Sequence, residues 1–243
     1  MVHTDVSTDS RSNVSIEREE MIVVYTAITN NRDKLQLGQP WDSVSSSKEV
    51  RFLAFLDDVT RDSVTDFGHW EYHPIPQKFT DHRMNAKMPK ILPHLFFDAD
   101  YSIWVDGCFW LKTPPEVLIA QVLGGADIAA FLDKVGRSVL GQMQIFSSRH
   151  AEQREAIEAQ KSSYMKQGVD LSKPACECGV LIRRHTTTKL LNLIWWSEIC
   201  RWSVRDQLSF IKSVDESKVK LVHIPGTVCR SDYFSKTSHN KGV

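Results

Sequence analysis

The sequence predicts an α/β fold: a single domain with a mostly parallel central sheet flanked by helices. Apolar, β-branched runs alternate with helix-like stretches from residue 21 to residue 226, the pattern of strand–helix–strand units. Several of those runs end in an acidic residue, as strands do when they deliver polar groups to one edge of a sheet. The sequence shows no internal repeat, low-complexity tract or clear linker, and 243 residues suffice for one large α/β domain.

The elements follow in order. Residues 21–29 (MIVVYTAIT) read as a buried first strand running into the polar loop NNRD, and residues 50–58 (VRFLAFLDD) repeat the plan. Residues 82–97 carry apolar positions at helical spacing, with a proline-punctuated end. The strand YSIWVD (101–106) comes next, then a helix over 113–123 whose prolines sit at its start. Residues 126–133 form a short strand ending in acid. Residues 147–168 are polar and helix-prone, so a surface helix is expected there. Residues 178–185 (CGVLIRRH) read as a strand, 190–203 as an amphipathic helix, and 219–226 as a strand with a turn. The resulting division is a flexible lead-in at 1–20, the domain at 21–228 and a C-terminal tail at 229–243.

Composition narrows the function. Lys plus Arg and Asp plus Glu both number 30, whereas a grip on a nucleic-acid backbone calls for a basic excess. No apolar run reaches the roughly 18 residues that span a bilayer, and the polar N-terminus lacks the apolar core of a secretory signal. The five cysteines are an odd set without such a signal, which predicts reduced thiols and a cytoplasmic protein. Cys176-Glu177-Cys178 is C-x-C, not the C-x-x-C of zinc or redox motifs.

Ligands of such sheets bind beyond the carboxyl ends of the strands. Asp57 and Asp58, Asp106, and Asp133 reach that edge. Asp106 is the strongest candidate, because a strand-end carboxylate can meet a Mg²⁺ or Mn²⁺ ion that bridges to phosphates, and Gly107 allows close backbone approach. Spacing alone also allows a strand-terminating cap. Asp98 and Asp100 form a literal Asp-x-Asp, but follow PHLFF and suit a solvated turn. Arg83, Lys87 and Lys90 lie four and three apart, on one helix face, where they can partner a diphosphate or merely be solvated.

The runs HPIP…DHRMNAKMPKILPH…YSIWVDG and ECGVLIRRHTTTKLLNLIWWSEICRWSVRDQLSF resemble the glycosyltransferase-like domain of plant cell-wall and bacterial polysaccharide proteins. That domain is similar in plan to GT-A, Rossmann-like nucleotide-sugar transferases of the glycogenin and bacterial galactosyltransferase type, and the likeness covers residues 22–226. It implies donor-binding roles for Thr26, Asn30, Arg83, Lys87, Asp106 and Gly107. It implies Mn²⁺ or Mg²⁺ on Asp106 and His223, although Cys108 stands where the motif has its second Asp and is a poor ligand for either ion. Lys236 or Lys241 would take the place of a late lysine. Glu177, Asp206 and Gln207 become the catalytic candidates, with Asp206 either capping a helix or binding sugar hydroxyls. Arg184 (or its neighbour Arg183), Trp195 and Glu198 become acceptor-binding candidates, while Trp196 and Trp202 are assigned to packing.

The activity so implied is transfer of a sugar from a nucleotide-diphosphate sugar, a UDP-sugar first, to a hydroxyl acceptor such as a glycan. One alternative is a non-catalytic nucleotide- or sugar-binding module, given the degenerate metal motif. Another is a nucleotidyltransferase, which the single glycine of TAITNNRDKLQLG disfavours. No nucleic-acid partner and no transmembrane segment are expected.

Overall fold

The computed structural model describes residues 20–37 and 49–238; the lead-in up to residue 19 and Lys241 lie outside the described residues. The strands are β1 (Met21–Ile28), β2 (Glu49–Leu56), β3 (Glu71–Pro74), β4 (Tyr101–Val105), β5 (Phe109–Leu111), β6 (Ile128–Leu132), β7 (Cys176–Arg184), β8 (Leu221–His223) and β9 (Phe234–Lys236). The helices are α1 (Asp58–Ser63), α2 (His82–Ile91), α3 (Pro115–Leu118), α4 (Val139–Arg149), α5 (Arg154–Lys166), α6 (Lys189–Arg201) and α7 (Gln207–Ser217).

Seven strands make one sheet in the order β3-β2-β1-β4-β7-β6-β8. Its neighbours pair in parallel, except that β7 runs antiparallel to both β4 and β6. The expected mostly parallel α/β sheet is therefore the observed one. Strands buried on both faces read as continuous apolar runs, and each strand feeds two cores by alternation. Val23, Tyr25, Leu53, Phe55 and Trp104 enter one core, which α2 and α4 to α7 cover. Ile22, Val24, Leu56, Ile103 and Val105 enter the other, closed by α3 and the β5–β9 ribbon.

Four local departures have physical causes. The helix expected to reach residue 97 stops at Ile91, and Pro93 opens a separate 3₁₀ turn over Pro93–Leu95; Leu92, the residue before that proline, leaves the helical region, as residues preceding proline tend to. The polar stretch expected at the surface is two helices broken at His150, and α5 buries Ile157, Gln160 and Tyr164. Polar side chains do part of that packing: the Gln160 amide donates to Tyr164 Oη at 3.0 Å, and the Tyr164 hydroxyl donates to Glu198. Helix α7 buries Leu208, Phe210, Ile211 and Val214, although only its start was legible. Within the segment read as a tail, β9 pairs with β5 and buries Phe234. All five cysteines are free, and no helix among the described residues is long and apolar enough to cross a membrane.

His185, at the end of β7, is 3% exposed and stacks on Phe97 with ring centroids 5.2 Å apart. Burial, reinforced by the neighbouring Arg183, lowers its pKa to about 4. The unfolded chain takes up that proton near pH 6.5, so between pH 6.5 and 4 the unfolded state binds more protons and stability falls as pH falls. The loss amounts to about 2–3 kcal/mol for this group. In urea titrations at pH 7, 6 and 5, His185→Phe flattens the pH dependence relative to wild type. An unchanged slope would contradict the assignment.

Candidate functional site

The site forms where the parallel strands β1 and β4 end beside the incoming β7. Tyr25 pairs with Trp104 in register, so Asp106 leaves the sheet beside the end of β1. The Asp106 amide donates to the Gly179 carbonyl at 2.8 Å, tying β4 to β7. A side chain at Gly179 would crowd Phe109 at 2.9 Å and Asp106 Oδ2 at 3.3 Å; glycine is what lets this carboxylate sit here. Above this edge lies a cleft of about 340 Å³, within the size range of small-molecule sites.

Helix α2 forms one wall. Its N-cap, Asp81, accepts from the Arg83 amide and grips the Arg83 guanidinium at 2.9 Å. The buried Asn85 side chain accepts from the amides of Lys78 and Phe79 at 3.0 and 2.9 Å, holding the loop that leads into the helix. One turn further, Lys87 and Lys90 point inward at Asp206, where α7 begins. Lys87 Nζ lies 2.9 Å and Lys90 Nζ 2.7 Å from Asp206 Oδ2. Lys90 Nζ also lies 3.1 Å from Asp106 Oδ1, which accepts the Trp104 indole N–H at 2.8 Å. The result is a chain of charges, Asp106–Lys90–Asp206–Lys87, with Lys90 and Asp206 each only 4% exposed.

Electrostatics holds the Asp206–Lys90 pair at its centre ionised. Burial works against the Asp206 carboxylate, but Lys87 and Lys90 outweigh it and hold its pKa far below the usual range. Burial opposes the Lys90 ammonium too, and Asp106 and Asp206 more than reverse the effect. Lys87 is pushed below the ordinary lysine value by burial, which Asp206 only partly offsets and Lys90 worsens. A second layer fixes Lys90: the Tyr25 hydroxyl donates to its carbonyl at 3.2 Å, and the fully buried Arg183 donates to Tyr25 Oη. On the opposite wall, burial and then the Asp133 carboxylate raise the pKa of Glu177.

Of the catalytic and donor-binding candidates, seven line this cleft: Arg83, Lys87, Asp106, Gly107, Glu177, Asp206 and Gln207. Gly107 serves packing here, because an added Cβ would meet Asp33 at 2.8 Å and Ile28 at 2.9 Å. Asp206 makes no side-chain cap for α7; the lysines hold it.

Six expected residues lie elsewhere. Thr26 is buried within β1. The Asn30 amide donates to Asp57 Oδ2 at 2.8 Å, and its turn faces α1. Arg184 pairs with Tyr101 at the far end of β4, bonding Tyr101 Oη at 2.8 Å and the Gly124 carbonyl at 3.1 Å; five strand residues put it roughly 16 Å from Asp106. Trp195 is completely buried, its indole donating to the Asp206 carbonyl at 3.0 Å, so it has no surface for an acceptor. Glu198 is taken by Tyr164 and Lys212 on the helical side. His223 sits exposed on β8, three strand spacings from β4, about 14 Å, which is too far to share an ion with Asp106.

Three other acids named from the sequence have structural partners. Asp57 caps α1, Asp133 is buried against Arg137 and Gln142, and Asp100 accepts from the Met21 amide at the opposite edge of the sheet. The residues present do not fit the expected Mn²⁺ or Mg²⁺ ion: among the described residues no three His, Cys, Asp or Glu gather to hold one. Cys108 is buried and its thiol is pushed up to about 12 by burial and by Asp106. Arg32, Asp33, Arg205 and Lys236 also line the cleft. Lys236 was a candidate; Arg32 and Asp33 read only as charges of the NNRD loop, and Arg205 drew no reading although it adjoins Asp206 in the sequence.

A mostly parallel sheet with its cleft at the carboxyl ends of the strands is a Rossmann-like α/β arrangement. Over 86% of this chain and 39% of the other, the fold matches the apo structure of the bifunctional glycosyltransferase WbbM, with a TM-score of 0.52 at 10% identity. The chain belongs to the TOD1/MUCI70 glycosyltransferase-like domain family, whose model matches residues 1–224. It is 25% identical over 223 residues to the probable hexosyltransferase MUCI70 of Arabidopsis thaliana, covering 82% of this chain and 38% of that protein. It is also 25% identical over 232 residues to the alkaline ceramidase TOD1 of the same plant, covering 82% of this chain and 50% of that one. The chain thus spans half or less of either relative.

Removing one charge from a buried pair leaves its partners uncompensated, at about 3–5 kcal/mol. Asp206→Asn is expected to destabilise the fold by that order in chemical denaturation at pH 7. A loss below about 1 kcal/mol would show that the lysines find other partners.

Proposed function

We propose that this domain transfers a glycosyl unit from a nucleotide-diphosphate sugar, with UDP-sugars the first donors to test, to a hydroxyl acceptor such as a glycan. The observation that carries the reading is the charge pattern of the cleft: among the described residues, six cationic side chains, Arg32, Arg83, Lys87, Lys90, Arg205 and Lys236, line it against four carboxylates, with Arg83 also paired to Asp81. A diphosphate suits that excess, and helix α2 presents Arg83 and Lys87 to it from one face.

The chemistry follows from charge movement. As the bond between the anomeric carbon and the diphosphate oxygen breaks, the electron pair passes to that oxygen. Fixed cations nearby stabilise the developing charge without reorganising. Lys87, the more exposed of the two lysines on Asp206, is the side chain we assign to it. The acceptor oxygen forms the new bond and loses its proton. Glu177, which burial and then the Asp133 carboxylate make more basic than an ordinary glutamate, is the group we assign to accept that proton. Gln207 reaches the same cleft with an amide suited to sugar hydroxyls. Asp206 is held beneath the lysines, so we assign it to orienting them.

The test is release of nucleoside diphosphate from a panel of nucleotide sugars, with and without glycan acceptors. One donor should be turned over, and Lys87→Met should lower the rate roughly 10²-fold, the loss expected for one group stabilising developing negative charge. Donor binding without turnover supports a binding module instead. Pyrophosphate release from a nucleoside triphosphate points to a nucleotidyltransferase. Fatty-acid release from ceramide, with every donor inert, would overturn the reading in favour of the activity named for TOD1.

A further inference from the structure

We propose that this domain binds and activates its nucleoside-diphosphate leaving group without a divalent cation, the Lys87 ammonium meeting the phosphate and Lys90 holding the carboxylates that position it. The inference rests on the nucleotide-sugar reading above and departs from the metal site that the sequence led us to expect.

The donor set is the first reason. Mg²⁺ and Mn²⁺ take hard oxygen ligands. Two residues after Asp106 stands Cys108, 1% exposed and packed into the core below the cleft. His223 lies three strands away on the sheet edge. The remaining cleft carboxylates, Asp33 and Glu177, do not gather with Asp106 into a three-ligand cluster among the described residues.

The second reason is that ammonium groups already stand beside Asp106. Asp106 Oδ1 receives two N–H donors, the Trp104 indole at 2.8 Å and the Lys90 ammonium at 3.1 Å. Lys90 bridges onward to Asp206 at 2.7 Å, and Lys87 lies 2.9 Å from the same oxygen. A divalent ion on Asp106 would sit against the Lys90 ammonium, with Lys87 close behind. Like charges at such separations in a partly desolvated site repel strongly.

The two lysines divide the work. Lys90, with a side chain 4% exposed, bridges and orients both carboxylates, which makes it a positioning residue. Lys87, with a side chain 18% exposed, reaches the cleft. There its ammonium donates to the terminal phosphate oxygen, the atom that takes the electron pair when the glycosidic carbon departs.

Titration calorimetry of the wild-type chain with UDP, GDP and ADP, in excess EDTA and again in millimolar Mn²⁺, tests this without any substitution. One nucleotide should bind with a Kd that changes less than about threefold between the two conditions, and Mn²⁺ electron paramagnetic resonance should find no stoichiometric ion on the complex. Lys87→Met should weaken that nucleotide at least tenfold in EDTA, whereas Lys87→Arg, which keeps the charge, should recover most of it. Affinity that rises tenfold or more with Mn²⁺, or a bound ion lost in Asp106→Asn, would overturn the inference and leave the donor reading standing. Failure of all three nucleotides in both conditions would remove the donor reading and this inference together.

Discussion

Lys90 is the side chain on which the candidate site depends. Its ammonium lies between Asp106, at the end of β4, and Asp206, at the start of α7, so one cation joins the sheet edge to the helical layer. Isolated buried charges are prohibitive, and a buried pair is tolerated only when geometry and hydrogen bonding are complete. Here the accompanying groups are specific: Trp104 donates to Asp106, Trp195 donates to the Asp206 carbonyl, and Tyr25 donates to the Lys90 carbonyl. Those three aromatic residues are core residues that serve the site through their polar ends, as buried Tyr and Trp do when a partner is within reach.

The topology explains why these groups meet. Asp106, Gly179 and the α2 lysines are far apart in sequence, yet β4 lies between β1 and the antiparallel β7. The carboxyl end of a parallel strand therefore faces the entry of β7, and α2 crosses the same edge. Burial then does the selecting. Of the acids delivered to this edge, Asp57 and Asp133 are held by structural hydrogen bonds and Asp58 opens α1 away from the cleft lining, which leaves Asp106 open to the cleft with a side chain 37% exposed. The family match and the fold agree on a glycosyltransferase-like domain.

The sequence made the sheet legible because strands covered on both faces are written as unbroken apolar runs, as in MIVVYTAI and YSIWV. The three-residue strands β5 and β9 and the exposed β3 carry too little pattern to be seen alone. In the site, helical spacing was enough to put Arg83, Lys87 and Lys90 on one face. What spacing cannot report is partnership. Asp206 read equally well as a cap or a sugar ligand, and only the fold shows two lysines on it. The acceptor residues failed for a related reason. Trp195, Glu198 and Arg184 are types that bind sugars when exposed, but the first two are buried and the third faces the opposite edge.

The account stands on the cleft over Asp106 and Lys87 being the place where a diphosphate lies. A crystal structure of the chain with bound UDP, or with whichever nucleoside diphosphate binds, tests that most directly. The account predicts phosphate oxygens within hydrogen-bonding distance of Lys87, with the Lys90 bridge between Asp106 and Asp206 intact. A nucleotide bound elsewhere, or a Lys90 displaced from both carboxylates, would contradict it.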